Sequence, residues 1–150
     1  KGQSGYGKAS DDYDLMWLLR EVKKASSGID SKANPYVTYH KAVGGLYKMK
    51  QGASESDDNY VERFKNMMTT IEMVQGKNIF YSPGIIGTSH EDATEEEIFA
   101  TKEANLAVLL LLNSDQTRYG ELASNLKKGA NLGRDKYPKS LSGMYELMVK

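Results

Sequence analysis

The residues of this chain whose types and spacing bear most on chemistry lie together in the run Gln51-Gly52-Ala53-Ser54-Glu55-Ser56-Asp57-Asp58-Asn59-Tyr60-Val61-Glu62-Arg63-Phe64. Gly52 permits a sharp backbone turn. Glu55, just ahead of a helix, can accept bonds from exposed amides where the helix dipole favours negative charge. Arg63 falls two turns into that helix, close to the face on which Glu55 sits, so the two can pair and lock the turn to the helix. Tyr60 and Phe64, four residues apart, then point into a core. The plainer reading of the same spacing is an ordinary loop and a capped amphipathic helix, with Gln51 and Arg63 solvated.

Other reactive residue types form no constellation. His40 and His90 stand 50 positions apart, and His90-Glu91-Asp92 offers a single imidazole beside loop carboxylates, so no metal site is expected. A Ser-His-Asp arrangement needs a positioned base and a nucleophile elbow, and neither is present. Asp11-Asp12, Asp57-Asp58 and Glu95-Glu96-Glu97 sit at helix starts, where the dipole accounts for them. Gly2, Gly5 and Gly7 lack the preceding strand and following helix of a phosphate loop. The chain has no cysteine, which excludes disulfides, thiol catalysis and Cys-based zinc sites. No catalytic residue, cofactor or metal is expected, and the protein reads as a non-enzyme.

The elements that position these residues follow from apolar periodicity. Residues 1–10 hold three glycines and no such pattern, and read as a flexible arm. Leu15, Leu18, Leu19 and Val22 share one face of a first helix over about Asp11 to Lys24, with Trp17 off the stripe and free for a contact. Asn34 caps a second helix with Pro35 at its first position and Tyr36, Tyr39, Val43 and Leu46 recurring. Gly44-Gly45 in its middle weakens it by about 1 kcal/mol each unless a close helix crossing needs them.

Ser56 caps a third helix whose stripe is Tyr60, Phe64, Met67, Ile71 and Val74, closed at Gln75-Gly76. Residues 77–93 read as a long loop containing the apolar Ile79-Phe80-Tyr81. Thr94 and Glu97 form a capping box for a fourth helix reaching about Asn113. Ser114 is placed as the cap of a fifth helix, with Tyr119, Leu122, Ala123 and Leu126 on one face and fraying near Gly129. A sixth follows Tyr137-Pro138-Lys139-Ser140, with Leu141, Met144, Tyr145 and Met148 inward. Nothing alternates over a strand length, so the fold class is all-α, a bundle of about six helices.

Composition bounds the partners. Lys+Arg and Asp+Glu each number 20, so no overall positive field exists to hold nucleic acid. The pairs Lys23-Lys24 and Lys127-Lys128 read as solvated helix ends favoured by the dipole. The apolar run from Leu106 to Leu112 is far short of the ~20 residues that cross a bilayer, and no membrane partner is expected. Hydrophobic content of 39% and charged content of 27% suit a globular domain, and the N-terminus lacks the apolar core of a signal peptide. A chain starting at Lys1 reads as an excised piece of something longer.

The pattern Q-G-x-x-E-x-x-x-x-Y-V-x-R-F resembles the major homology region of retroviral and retrotransposon Gag capsid proteins. Arg118-Tyr119-Gly120-Glu121-Leu122, the block from Gly133 to Leu141 and Tyr145-Glu146-Leu147 are similar to the end of copia-type Gag reading frames; Leu15 to Leu19 with Trp17 is similar to the helix ahead of the motif in that group. The resemblance covers most of residues 11–150. It implies a retroviral capsid-like helical region, with 11–50 preceding the motif and 51–150 forming a C-terminal-type lobe.

The resemblance implies a structural subunit that self-assembles into cytoplasmic virus-like particles enclosing RNA. Gln51, Gly52, Glu55, Tyr60, Arg63 and Phe64 would hold the fold and support assembly. Retroviral capsids place a full N-terminal domain before the motif, whereas 50 residues precede Gln51 here. The zinc knuckle of many relatives has no counterpart, so RNA is expected to be held mainly outside this chain. The principal partner is therefore the protein itself, as a homo-oligomer, with candidate contacts at Trp17, Met144, Tyr145 and Met148. The alternative is a monomeric Gag-derived adaptor that grips a partner peptide between helices.

Overall fold

Asn34 starts the first described helix by accepting from the amides of Tyr36 and Val37 at 2.9 and 3.2 Å, with Pro35 set where no amide is needed. The computed structural model describes Arg20, residues 34–82 and residues 92–150. The expected arm and first helix, with Trp17, lie outside the described residues, apart from Arg20. Helix α1 runs Pro35–Lys48 and buries Ala42, Val43 and Leu46. Gly44 and Gly45 do not break it. A Cβ on Gly45 would lie 3.9 Å from the Met67 sulfur, an ordinary contact, so the crossing is close without demanding glycine.

Helix α2 spans Asp57–Gln75, capped by Ser56, whose hydroxyl accepts from the Asn59 amide. It buries Tyr60, Val61, Phe64, Met67 and Ile71, and ends where Gly76 takes a φ of 107° that a side chain would oppose. Successive turns follow, in which the Ile79 amide donates to the Gly76 carbonyl and the Tyr81 amide to that of Asn78. They fold Phe80 into the core, and Asn105 donates to its carbonyl at 2.9 Å. The apolar stretch in the expected loop is therefore packed.

Helix α3, Glu95–Leu112, begins with the expected capping box between Thr94 and Glu97. It is the central element, packed against both of the helices that follow it. Those are α4, Gln116–Asn131, and α5, Leu141–Val149. Helix α5 also packs on α2, and α1 packs on α2. Tyr60, Phe64, Leu46, Ile71, Leu106, Leu110, Leu111 and Met144 are the largest fully buried side chains.

Among the described residues the structure is all-helical, with five helices and no strand. They match the second to sixth expected helices. No described helix is long and apolar enough to cross a membrane.

Two expectations need correction. Asp115, not Ser114, caps α4, accepting from the Thr117 amide, while the Ser114 hydroxyl turns back to donate to the Leu111 carbonyl at 2.6 Å. That helix also continues past Gly129 to Asn131. The second correction concerns the last helix. Met144 and Met148 are buried within the chain, 0% and 5% exposed, because α3 and α2 cover that face. They offer nothing to a neighbour, and on α5 the exposed large apolar residue is Val149.

Candidate functional site

The segment between α1 and α2 is joined to the junction of α3 and α4 by a continuous set of polar contacts centred on Gln51. Its backbone amide donates to the Asn113 carbonyl at 2.9 Å. Its side-chain amide donates to Asp57 Oδ1 at 2.9 Å and to the Glu55 carbonyl at 3.3 Å, while its Oε1 accepts the Asp115 amide at 3.0 Å. Gln51 is only 6% exposed, so each of these bonds replaces water that the site excludes. Gln51 is not solvated.

Glu55 and Arg63 form the pair that their spacing suggests. Arg63 Nη2 donates to Glu55 Oε1 at 2.8 Å and Nε to Oε2 at 3.0 Å, a bidentate fork. The same Nη2 reaches the Lys50 carbonyl at 2.8 Å, and the Gly52 amide donates to Glu55 Oε1 at 2.9 Å. One carboxylate and one guanidinium thus tie residues 50 and 52 to the second turn of α2. The plainer reading, a solvated Arg63, does not describe this geometry.

Tyr60 and Phe64 anchor the helix beneath the turn, both fully buried and edge to face. The Tyr60 hydroxyl donates to the Leu110 carbonyl at 2.7 Å, and burial raises its pKa. Asn113 completes the junction by donating from Nδ2 to the Leu46 carbonyl at 2.9 Å.

Asp57, Asn113, Asp115, Arg118 and Tyr119 are members of this cluster that the motif does not contain. Arg118 donates to the carbonyls of Gly52 and Glu55 at 3.0 and 2.7 Å and to Asp115 Oδ2 at 3.0 Å. The Tyr119 hydroxyl donates to Asp57 Oδ2 at 2.5 Å; burial first, and this bond second, push its pKa up to about 12. The available signal was the polar run Asn113-Ser114-Asp115 breaking an apolar helix, followed by Arg118-Tyr119. Tyr145, half-buried, donates to Asp58 across the α2–α5 contact.

The charges account for the titration of the cluster. Burial pushes the Glu55 carboxyl up, but the Arg63 bond, the Gly52 amide and the charges of Arg63 and Arg118 outweigh it and leave its pKa below the ordinary value. The Arg118 bond, then the Thr117 amide, hold Asp115 below its ordinary value too. A carboxyl depressed in the folded state contributes stability that is fully present above the unfolded pKa of about 4.3 and is lost as pH falls through the lower folded value. Urea midpoints should therefore fall between about pH 5 and 3, and Glu55→Gln should flatten that fall while lowering stability at pH 7. An acid profile identical in Glu55→Gln and the parent would rule out this role.

What the arrangement does chemically is hold shape. Its donors and acceptors are turned on one another. Among the described residues no group of three or more His, Asp or Glu side chains could hold a metal ion. His40 is exposed on α1, with its ring edge against Tyr39, and His90 lies outside the described residues. The chain matches no protein-family model, no curated protein and no solved structure.

Proposed function

We propose that the protein is a structural subunit that self-assembles into a shell, like the Gag capsid proteins its central motif resembles. The observation that carries the reading is the clamp itself. The Gln, Gly, Glu and Arg of the motif are bonded to one another and to the α3–α4 junction, and the motif aromatics are buried beneath them. A rigid turn of this kind fixes the angle between helices, which a closed assembly of repeated copies requires. Weak contacts multiplied over many copies then supply stability. Exposed Met73, Phe99, Leu112, Leu132 and Val149 provide apolar area for such contacts, and zero net charge limits repulsion between copies. An RNA cargo and a cytoplasmic site of assembly belong to the same proposal.

Sedimentation velocity of the purified protein across concentration and salt tests it. Concentration-dependent species larger than a monomer are expected, with closed particles in negative-stain images. A monomer under every condition tried would remove the shell reading.

That outcome would favour the monomeric adaptor, for which one observation speaks. A cavity of about 540 Å³ lies between α3 and the segment after α4, lined by Ala100, Ala104, Val108, Tyr137 and Pro138 among others. Its size and apolar floor suit a small peptide side-chain cluster.

A further inference from the structure

The zero net charge conceals a local excess. From Leu122 to Tyr145 five basic residues stand against one acid, Asp135, so this stretch carries +4 and the rest of the chain −4. Asp135 is already engaged, accepting from Lys139 Nζ at 2.8 Å and from the Tyr137 amide at 3.0 Å. Arg63, Lys102, Arg118 and Lys139 each meet a carboxylate. Lys127, Lys128, Arg134 and Lys136 are exposed, and no ion pair among the described residues engages them.

The fold gathers these four. The helix dipole accounts for Lys127 and Lys128 at the end of α4, but not for Arg134 and Lys136. Those two are brought back by the turn after the helix, where the Arg134 amide donates to the Gly129 carbonyl at 2.8 Å. The approach is so close that a Cβ on Gly129 would lie 3.0 Å from the Arg134 carbonyl oxygen. Glu121, the nearest acid along α4, stands two turns and roughly 10 Å from Lys128, beyond the ~8 Å screening length at physiological salt.

Beside this basic turn opens the groove of about 540 Å³ over α3, and Tyr137, next in sequence to Lys136, lines it with Pro138 and Val108. A ligand that answers both features carries a flexible row of negative charges and a flat apolar group close to them. A membrane surface or an acidic peptide supplies the charge but no flat group for the groove. Single-stranded nucleic acid supplies both, since its phosphates follow basic surfaces while its bases stack on aromatic rings whatever their sequence. The planar fork of Arg134 also matches phosphate oxygens.

We infer that the turn after α4 is a contact for single-stranded nucleic acid, with phosphates met by Lys127, Lys128, Arg134 and Lys136 and a base set against Tyr137 in the groove. The inference deepens the shell reading and rests on it for its role, as the place where the RNA cargo touches this chain. Four phosphates of a single strand give a log–log salt slope of about −2.8.

Fluorescence anisotropy with a labelled oligouridine of about twelve nucleotides tests the inference on unassembled protein. Lys127→Gln/Lys128→Gln and Arg134→Gln/Lys136→Gln should each weaken binding at least tenfold at about 50 mM salt and halve the slope to about −1.4. Tyr137→Leu fills space without a ring face, and should weaken binding at least fivefold with the slope unchanged. Tyr137→Phe should bind like the parent, as should Lys65→Gln/Lys77→Gln, which removes exposed cations elsewhere.

No binding at about 50 mM salt, or a parent slope shallower than about −1.4, overturns the inference. Parent-like binding by both basic variants, or by Tyr137→Leu, overturns it as well. Tighter binding to vesicles rich in phosphatidylserine than to oligouridine marks a membrane contact, which also overturns it. Melting followed by circular dichroism checks that the variants fold, and the parent slope needs no variant. A monomer that binds oligouridine supports this contact while removing the shell reading, and particles of a chain that binds none do the reverse.

Discussion

Arg63→Ala is expected to lower the unfolding free energy by roughly 2–4 kcal/mol and, under the proposed shell function, to abolish particle formation. The guanidinium touches three acceptors: both oxygens of Glu55 and the Lys50 carbonyl. Alanine leaves a carboxylate whose side chain is only 14% exposed without its cation, and a backbone carbonyl without its donor. Orphaning buried groups costs more than the net worth of the bonds they made. For a domain of this size the loss corresponds to roughly 6–15 °C in Tm.

Arg63→Lys separates charge from geometry. An ammonium can meet Glu55 but cannot fork to both its oxygens and the Lys50 carbonyl together, so an intermediate loss is expected. If thermal melts and particle yields of Arg63→Ala match the parent, the turn does not depend on this clamp. A stable fold that no longer assembles would instead separate a role at the surface from a role in the fold.

The parts of the structure that sequence reasoning reached are those whose partners lie nearby along the chain. Glu55 and Arg63 are eight residues apart, and Thr94 and Glu97 three, so helical spacing alone brings them together. The stripe from Tyr60 to Ile71 is legible for the same reason, since a period near 3.6 states which face is buried.

What stayed hidden depends on tertiary placement. Gln51 finds Asn113 and Asp115 across more than sixty residues, and no local pattern encodes that meeting. Ser114 and Asp115 are both good caps; the choice fell to Asp115 because Arg118, three residues on, holds its second oxygen, and because the Ser114 hydroxyl is used by the Leu111 carbonyl. Met144 and Met148 show the complementary failure. Periodicity gives them an inward face, but only the packing of α5 on α3 and α2 reveals that the covering surface belongs to the same chain.

Gln51 offers the sharpest test of the long-range half of the clamp, because two substitutions of similar volume should respond to pH in opposite senses. Gln51→Leu removes the donor to Asp57 and the Glu55 carbonyl and the acceptor of the Asp115 amide, with an expected loss of roughly 2–4 kcal/mol at pH 7. Its stability should still fall in acid, since Glu55 and Asp115 remain depressed. Gln51→Glu keeps the acceptor but sets a carboxylate against Asp57, 2.9 Å from the present amide nitrogen. Like charges so placed raise the pKa of the new group in the folded state. Such a group stabilises below its unfolded pKa and loses that contribution as pH rises through the folded value. Gln51→Glu should therefore be the less stable of the two at pH 7 and should gain on Gln51→Leu as the pH is lowered toward about 5. Urea midpoints of both variants between pH 5 and 8 decide the matter, and parallel profiles would mean that Gln51 does not face Asp57 in solution.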